Sequence, residues 1–406
     1  MRVAVIGDMH LGYSSNTERS EDSFRQAEEA VDKALEEDAD LILVTGDIFD
    51  DRVPSQEVLG RAMNIFRKTL SKKSEVKLNS LEGKNRKEIS ELVLKGTPVI
   101  SLNGNHDRRG KEYTNPVQLL EDAGLLIHLH TASAVFEKNG EKTAVHGMSN
   151  VPEKYARTVL EKWNPKPVEN AYNILMLHQN IGQYVYSEDE HAVINLEDLP
   201  KGFDLIIDGH VHWSDQMELR GDKFLLAGST VSTQIRKIES KKPKRIWLIE
   251  NENIRSKKLE TARKQHYKEI KFKDLKPDEV KEKIENVLKG LSPEERKPLV
   301  RIVLKGTLEK GFETSDLTVG NLEKKYSDKV ILRIGRQKLL SYGSVSKKEL
   351  LKKMRKKQMP VEELGLETLK KHLKDLNYKE TDKTEKLLKM FIEKDADEVY
   401  KNLTNE

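Results

Sequence analysis

Five short apolar runs in the first 212 residues stop abruptly on Asp, Asn or His, and no other feature restricts the possible folds as much. Val3-Ala4-Val5-Ile6 leads into Asp8-Met9-His10, and Leu41-Ile42-Leu43-Val44 into Gly46-Asp47. Pro98-Val99-Ile100-Ser101-Leu102 leads into Gly104-Asn105-His106-Asp107. Tyr172 to Leu177 ends on His178, and Phe203 to Asp208 ends on Gly209-His210-Val211-His212. Runs this short and uniformly apolar read as strands buried on both faces. Side chains with N and O donors at the ends of such strands sit on a rigid frame, which is what fixed metal-ligand geometry needs.

The stretches between the runs are helical in pattern. Thr17 to Asp38 carries Phe24, Ala27, Ala30, Val31, Ala34 and Leu35 on one side. A helix over residues 55–70 carries a broad apolar surface of Val58, Leu59, Ala62, Met63, Phe66 and Leu70. Further helices are expected at Asn115 to Ala123 and Val151 to Trp163. Strand and helix alternate, which makes residues 1–250 an α/β domain. Within it, the Lys-rich residues 71–95 read as an inserted loop with a short helix near Glu88 to Leu94, and Asn139-Gly140 marks a hairpin. The composition shifts after Glu250. Residues 255–340 predict a small α+β domain with strands at Tyr267–Phe272, Leu299–Leu304 and Lys329–Ile334 and a helix from Pro277 to Leu288. Ser292 to Glu295 reads as a capping box. Residues 345–406 predict helices, opening on a second capping box at Ser346 and Glu349. Leu366, Leu369, Leu373 and Leu376 form one apolar stripe there, and Leu387, Leu388, Phe391 and Ile392 another.

Composition narrows the chemistry. Cys is absent, so there is no disulfide framework, and any metal must be held by N and O donors. The chain runs from Met1 straight into a strand, leaving no room for a signal peptide, and no stretch is apolar enough for a transmembrane helix. An intracellular, cytoplasmic protein is expected. A net charge of +4 does not by itself announce nucleic acid. Basic residues cluster at 72–87, 236–245 and 352–357, each cluster reading as a solvated face.

A dinuclear hydrolytic site needs a carboxylate that bridges two ions, with N and O ligands completing each sphere. The candidates are Asp8, His10, Asp47, Asn105, His178, His210 and His212. On extended backbone, the two ligands of Asp-x-His or His-x-His point the same way. Gly46, Gly104 and Gly209 allow the backbone to turn tightly beside them. One strand-end Asp or His is ordinarily a cap or a satisfied core side chain, but five such elements in sequence are a metal site. His128, His130, His146, His191, His266 and His372 keep the ordinary reading.

The ordered set Asp8-x-His10, Gly46-Asp47, Gly104-Asn105-His106-Asp107, His178 and Gly209-His210-x-His212 resembles the calcineurin-like metallophosphoesterase superfamily over residues 1–250. The resemblance implies two stacked β-sheets flanked by helices, with two manganese ions at one edge. It implies that Asp8, His10, Asp47 and His212 hold one ion, and that Asp47 as bridge, Asn105, His178 and His210 hold the other. It also implies that His106, oriented by Asp107, serves the phosphoryl group rather than a metal.

Asp8-Met9-His10-Leu11-Gly12-Tyr13 and Gly104-Asn105-His106-Asp107-Arg108-Arg109 further resemble the double-strand-break repair nucleases of the Mre-eleven/SbcD family. That likeness implies a nucleoid-associated manganese-dependent DNA nuclease of archaeal type, acting as a double-strand exonuclease and a single-strand endonuclease on DNA ends. It implies a DNA-binding cap over 255–340 and helices over 345–406 that dock a Rad-fifty/SbcC-type coiled-coil ATPase. It also implies a homodimer through the helices at 55–70 and 115–123. The chain departs from many relatives at Asp50, where they carry a His linked with placing the DNA end. A phosphatase or cyclic-nucleotide phosphodiesterase has no evident use for the C-terminal helices. A non-catalytic scaffold for the ATPase has no need of the full ligand set.

Overall fold

Alternate residues of each apolar run serve two different cores, which is why the runs lack a polar face. In a computed structural model, which describes residues 1–110, 112–185, 191–250 and 252–341, two compact units are found, Met1–Tyr267 and Lys268–Glu406. In the first unit, Ala4, Ile6, Ile42 and Val44 pack with Ala27, Ala30, Phe66, Val117 and Leu120 of the covering helices. Val3, Val5, Leu41 and Leu43 face the other way and meet Ile174, Met176, Leu205 and Ile207 of a second sheet. Leu175, Leu177 and Ile206 lie on that sheet's far face and join Ala156, Leu160 and Phe203 in a third core. The layers are therefore helix, sheet, sheet and helix, the mixed α/β architecture expected.

In the first sheet the strands run in the spatial order Asn253–Lys258, Arg245–Glu250, Val3–Ile6, Leu41–Val44, Val99–Ser101 and Ile127–His128. The middle pairs are parallel, with Val3 opposite Leu41 and Ile42 opposite Val99. The second sheet has seven strands, including the parallel neighbours Tyr172–Leu177 and Leu205–Asp208 at its centre. Ala132–Lys138 and Glu141–Met148 form the hairpin, with Asn139 and Gly140 both at positive φ as a two-residue turn requires.

Three expectations need correcting. The insert at 71–95 is not simply a loop, because Lys77–Glu82 pairs antiparallel with Ala132–Lys138 as an edge strand of the second sheet. A bulge between Leu78 and Ser80 places Leu78 and Leu81 on the core although they are three residues apart, so the period of two is broken in the sequence. Its exposed Lys77 suits an edge, where charge discourages pairing with other chains. No helix begins at Ser292 to Glu295. The helix expected from Thr17 begins at Asp22, after a run of turns.

The apolar breadth of the 55–70 helix goes mainly to its own core. Ala62, Ile65 and Phe66 are buried, and Val58, Leu59, Met63 and Leu70 pack against the same cluster. The second unit carries the parallel pair Leu299–Leu308 and Ile331–Leu340 beside Gln265–Leu275, with helices Pro277–Lys289 and Gly320–Lys325. Its core includes Val280, Ile284, Val300, Ile302 and Leu304. The helices expected over 345–406 lie outside the described residues. No helix among the described residues is long and apolar enough to cross a membrane.

Candidate metal centre

The predicted ligands converge from the C-terminal ends of five strands in two sheets. Asp8 and His10 follow Val3–Ile6, Asp47 follows Leu41–Val44, and Asn105 follows Val99–Ser101, all neighbours in the first sheet. His178 follows Tyr172–Leu177, and His210 and His212 follow Leu205–Asp208 in the second. Carboxyl ends of parallel strands are the usual place for ligands in open α/β sheets.

Donor atoms of Asp8, His10 and His212 lie within 4.8 Å of one another, and so do those of Asp47, His178 and His210. Asn105 joins the second group, its Oδ1 3.0 Å from His210 Nδ1 and 3.4 Å from His178 Nε2. Asp47 Oδ2 lies between the groups, 3.3 Å from His178 Nε2 and 3.9 Å from His10 Nε2. A bridging carboxylate must occupy that position. His106 also reaches His10 and Asp47 within the 4.8 Å limit.

Several observations fit these donors to divalent cations. Asp8 Oδ2 is buried with no hydrogen-bond partner. His10 Nε2 and His212 Nε2 face each other at 3.0 Å, while their Nδ1 atoms are engaged by Asp50 Oδ1 at 3.2 Å and Thr233 Oγ1 at 2.8 Å. His178 Nδ1 donates to the Thr45 carbonyl at 2.8 Å, which aims Nε2 at Asp47. Burial pushes the Asp8 carboxyl up to about 6. Burial opposes charge on His178, yet the carboxylates of Asp47 and Asp8 overcome it and raise the ring to about 10. Burial and the neighbouring His178 lower His210 to about 3, and burial with His10 holds His212 well below its ordinary value. The carboxylates thus favour a proton on His178 and, with Asp50, on His10, while His210 and His212 are kept as neutral donors. A divalent ion is the natural replacement for those protons.

Close approach sets the backbone. A Cβ on Gly104 would sit 2.0 Å from Asp47 Oδ1, and one on Gly209 would sit 2.7 Å from His178 Nδ1. The extended Asp-x-His and His-x-His geometry expected from the sequence is not what the chain adopts. His10, Asp47 and His210 have φ of 46°, 43° and 69°, so the ligands are aimed by left-handed turns past the strand ends. Non-glycine residues in that region cost about 1–3 kcal/mol each and persist where function demands them.

The expected role of Asp107 also changes. Its carboxylate accepts backbone N–H groups from Ile48, Phe49 and Gly104 at 3.1, 2.9 and 2.9 Å. It ties the Asp47 loop to the Asn105 loop and does not hold the His106 ring. That ring is set by the Asp50 carbonyl, which accepts from His106 Nδ1 at 2.6 Å. Asp50 therefore touches both His10 and His106, one through its side chain and one through its backbone.

Sequence reading missed a buried support on the other side. Lys244, placed in a solvated basic cluster, is 5% exposed. Its ammonium pairs with Glu239 at 2.6 Å and donates to the His212 carbonyl at 3.0 Å and Ser229 Oγ at 2.7 Å. The signal available was weak: Lys244 lies directly before the apolar strand Arg245–Glu250.

Residues 1–214, more than half of the chain, match the family described as Calcineurin-like phosphoesterase. The double-strand break repair protein MRE11 of Encephalitozoon cuniculi is 30% identical over 257 residues, covering 58% of this chain and 43% of that protein. MRE11 of Arabidopsis thaliana is 29% identical over 318 residues, covering 68% and 43%. The DNA double-strand break repair protein Mre11 of Thermoplasma acidophilum is 32% identical over 234 residues, covering 55% of each chain. The chain spans between two fifths and somewhat over half of the length of these relatives.

Proposed function

The chain belongs to the calcineurin-like phosphoesterase family, and on that premise we propose that it is a manganese-dependent DNA nuclease that processes ends at double-strand breaks. The observation that carries the proposal is the Asp47 carboxylate set between two groups of buried and half-buried N and O donors. The printed names of the relatives point to DNA as the substrate.

Asp8, His10, Asp47 and His212 would hold one ion, and Asp47, Asn105, His178 and His210 the other. Two divalent ions bound together supply Lewis acidity to a phosphoryl oxygen and lower the pKa of a water. The protein's own residues supply the rest. His106 Nδ1 donates to the Asp50 carbonyl, which leaves Nε2 free to face the phosphoryl group, and only the imidazolium form, protonated on both nitrogens, would stabilise that group or hand its Nε2 proton to the leaving oxygen. Asp107 keeps the loops bearing Asp47 and Asn105 in register. Double-strand exonuclease and single-strand endonuclease action would share this centre. Residues 255–340 would act as a DNA-binding cap, and residues 345–406 would dock a coiled-coil ATPase. A homodimer would form through the helices at 55–70 and 115–123.

The test is cleavage of linear duplex DNA and of a generic phosphomonoester, each with manganese or magnesium. DNA cleavage in manganese should fall about 1000-fold or more in Asp47→Ala, a loss of roughly 4 kcal/mol of transition-state stabilisation. His106→Ser should retain ion binding and lose turnover. Hydrolysis of the phosphomonoester but not of DNA would overturn the reading.

A further inference from the structure

Segments beside the donor residues line a cleft of about 1080 Å³ to which the catalytic roles above assign nothing, although Asn115 and Gln118 of the helix proposed for the dimer also line it. Asn103 and Arg108, on either side of Asn105 and His106, line it, as does Arg52 just after Asp50. Asn150 lines it too, and its amide donates to the His178 carbonyl at 3.1 Å. The segments bearing Asp47 and Asn105 therefore lead on to residues that line the cleft, and a third lining residue braces the His178 backbone. Its volume is at the upper end for ligand pockets and far exceeds one phosphate.

Its charge is one-sided. Arg52, Arg108, Arg109 and Lys162 line it and, among the described residues, no Asp or Glu does, although the chain as a whole has 72 basic and 68 acidic residues. Its aromatic rings are exposed where most are not: Tyr113 is 62% and Tyr155 51% accessible. The Arg109 guanidinium lies 4.8 Å from the Tyr113 ring centroid. Exposed rings beside guanidinium groups suit unpaired nucleic acid, whose bases stack on the rings while its phosphates meet the cations. A duplex keeps its base faces stacked inside and cannot use the rings.

We propose that this cleft binds an unpaired nucleic-acid strand beside the scissile phosphate, with Tyr113 and Tyr155 stacking on its bases. The proposal rests on the nuclease reading and deepens it, since it assigns the strand adjoining the cut as single. The test uses the full chain in manganese with a fluorescein-labelled, cleavage-resistant phosphorothioate oligonucleotide. Affinity for the single strand should fall at least about 10-fold in the Tyr113→Ala/Tyr155→Ala variant, and by much less for a blunt duplex. In Arg109→Ala, the slope of log affinity against log salt should shrink by about one.

An oligonucleotide carrying 2-aminopurine should lose fluorescence on binding the unaltered protein, which decides the matter if the double variant does not fold. Equal losses for single strand and duplex, absence of quenching at saturation, or equally tight binding of a polyglutamate peptide would each overturn the cleft. Manganese-dependent hydrolysis of bis(p-nitrophenyl) phosphate by the unaltered protein reads the centre separately. Its absence would overturn the phosphodiesterase reading instead.

Discussion

The two sheets contribute unlike halves to one site. The first supplies both carboxylates, Asp8 and Asp47, with His10 and Asn105: the His106 amide donates to Asp47 Oδ1 at 2.8 Å, the Thr45 hydroxyl donates to Asp8 Oδ1 at 3.0 Å, and Asp50 engages the His10 ring. The second supplies the imidazoles His178, His210 and His212. It braces His212 with a hydroxyl and a buried ammonium, Thr233 and Lys244. Both carboxylates come from one layer and three of the four imidazole candidates from the other, so each donor group draws on both sheets. The ion site and the sheet stacking are therefore coupled.

The comparison breaks most completely at Asp47, whose Oδ2 lies between the two donor groups. Asp47→Ala should abolish ion binding altogether in calorimetric titration, whereas Asp8→Ala should leave the His178 and His210 group able to hold one ion. One ion retained in both variants would mean Asp47 is not the bridge.

The second-sheet half is tested through Lys244. Lys244→Met leaves Glu239 charged, buried and unpaired, which should cost about 3–5 kcal/mol of stability, while Lys244→Met combined with Glu239→Met should recover most of it. If Lys244 also positions His212, ion affinity in the double variant should still fall about 10-fold, and an unchanged affinity would make its role purely structural.

Ion removal tests the coupling itself. At an ion concentration a hundred times the dissociation constant, binding stabilises the folded state by about 3 kcal/mol. Chelation should then lower the melting temperature of the first unit by about 5–10 °C, reversibly. No shift would mean the sheets stack without help from the ions.

The first-sheet half has a finer test in Asp50→Asn, which replaces the carboxylate partner of His10 Nδ1 with an amide. Ion affinity should drop about 10-fold with little change in melting temperature.

The smallest effect concerns a histidine outside the centre. Burial, with Lys84 and His130 nearby, lowers His128 to about 3, against an ordinary value of 6.5. The unfolded chain therefore binds the extra proton between pH 6.5 and 3. The contribution is present in full above pH 6.5 and is lost as pH falls through that window. His128→Gln should flatten the decline in melting temperature between pH 6.5 and 4.5. An identical slope in both proteins would show that the ring is freely protonated where it sits.

Much of the centre was legible because strands buried on both faces leave an unbroken apolar run, and that run ends where the backbone leaves the sheet. Asp8, Asp47, His178 and His210 could be found that way, along with the glycines that make room for them. The Lys77–Glu82 strand could not, because its bulge erases the alternation that marks a strand. The part the resemblance implied for Asp107 failed because its carboxylate turns to the backbone N–H groups of Ile48, Phe49 and Gly104 and not to the His106 ring. Lys244 looked solvated because its run of lysines says nothing about which of them turns inward.

The sequence by itself determined which residue types stand at which strand ends, and hence the α/β layers and the chemistry of the donor set. Local apolar pattern and residue identity carry both, and neither depends on distant chain. The tertiary structure alone decided the left-handed turns at His10, Asp47 and His210, the bracing by Asp50 and Lys244, and the basic cleft with its two exposed tyrosines. Each of these depends on side chains brought together from segments tens to hundreds of residues apart, and only the stacking of the two sheets sets those distances.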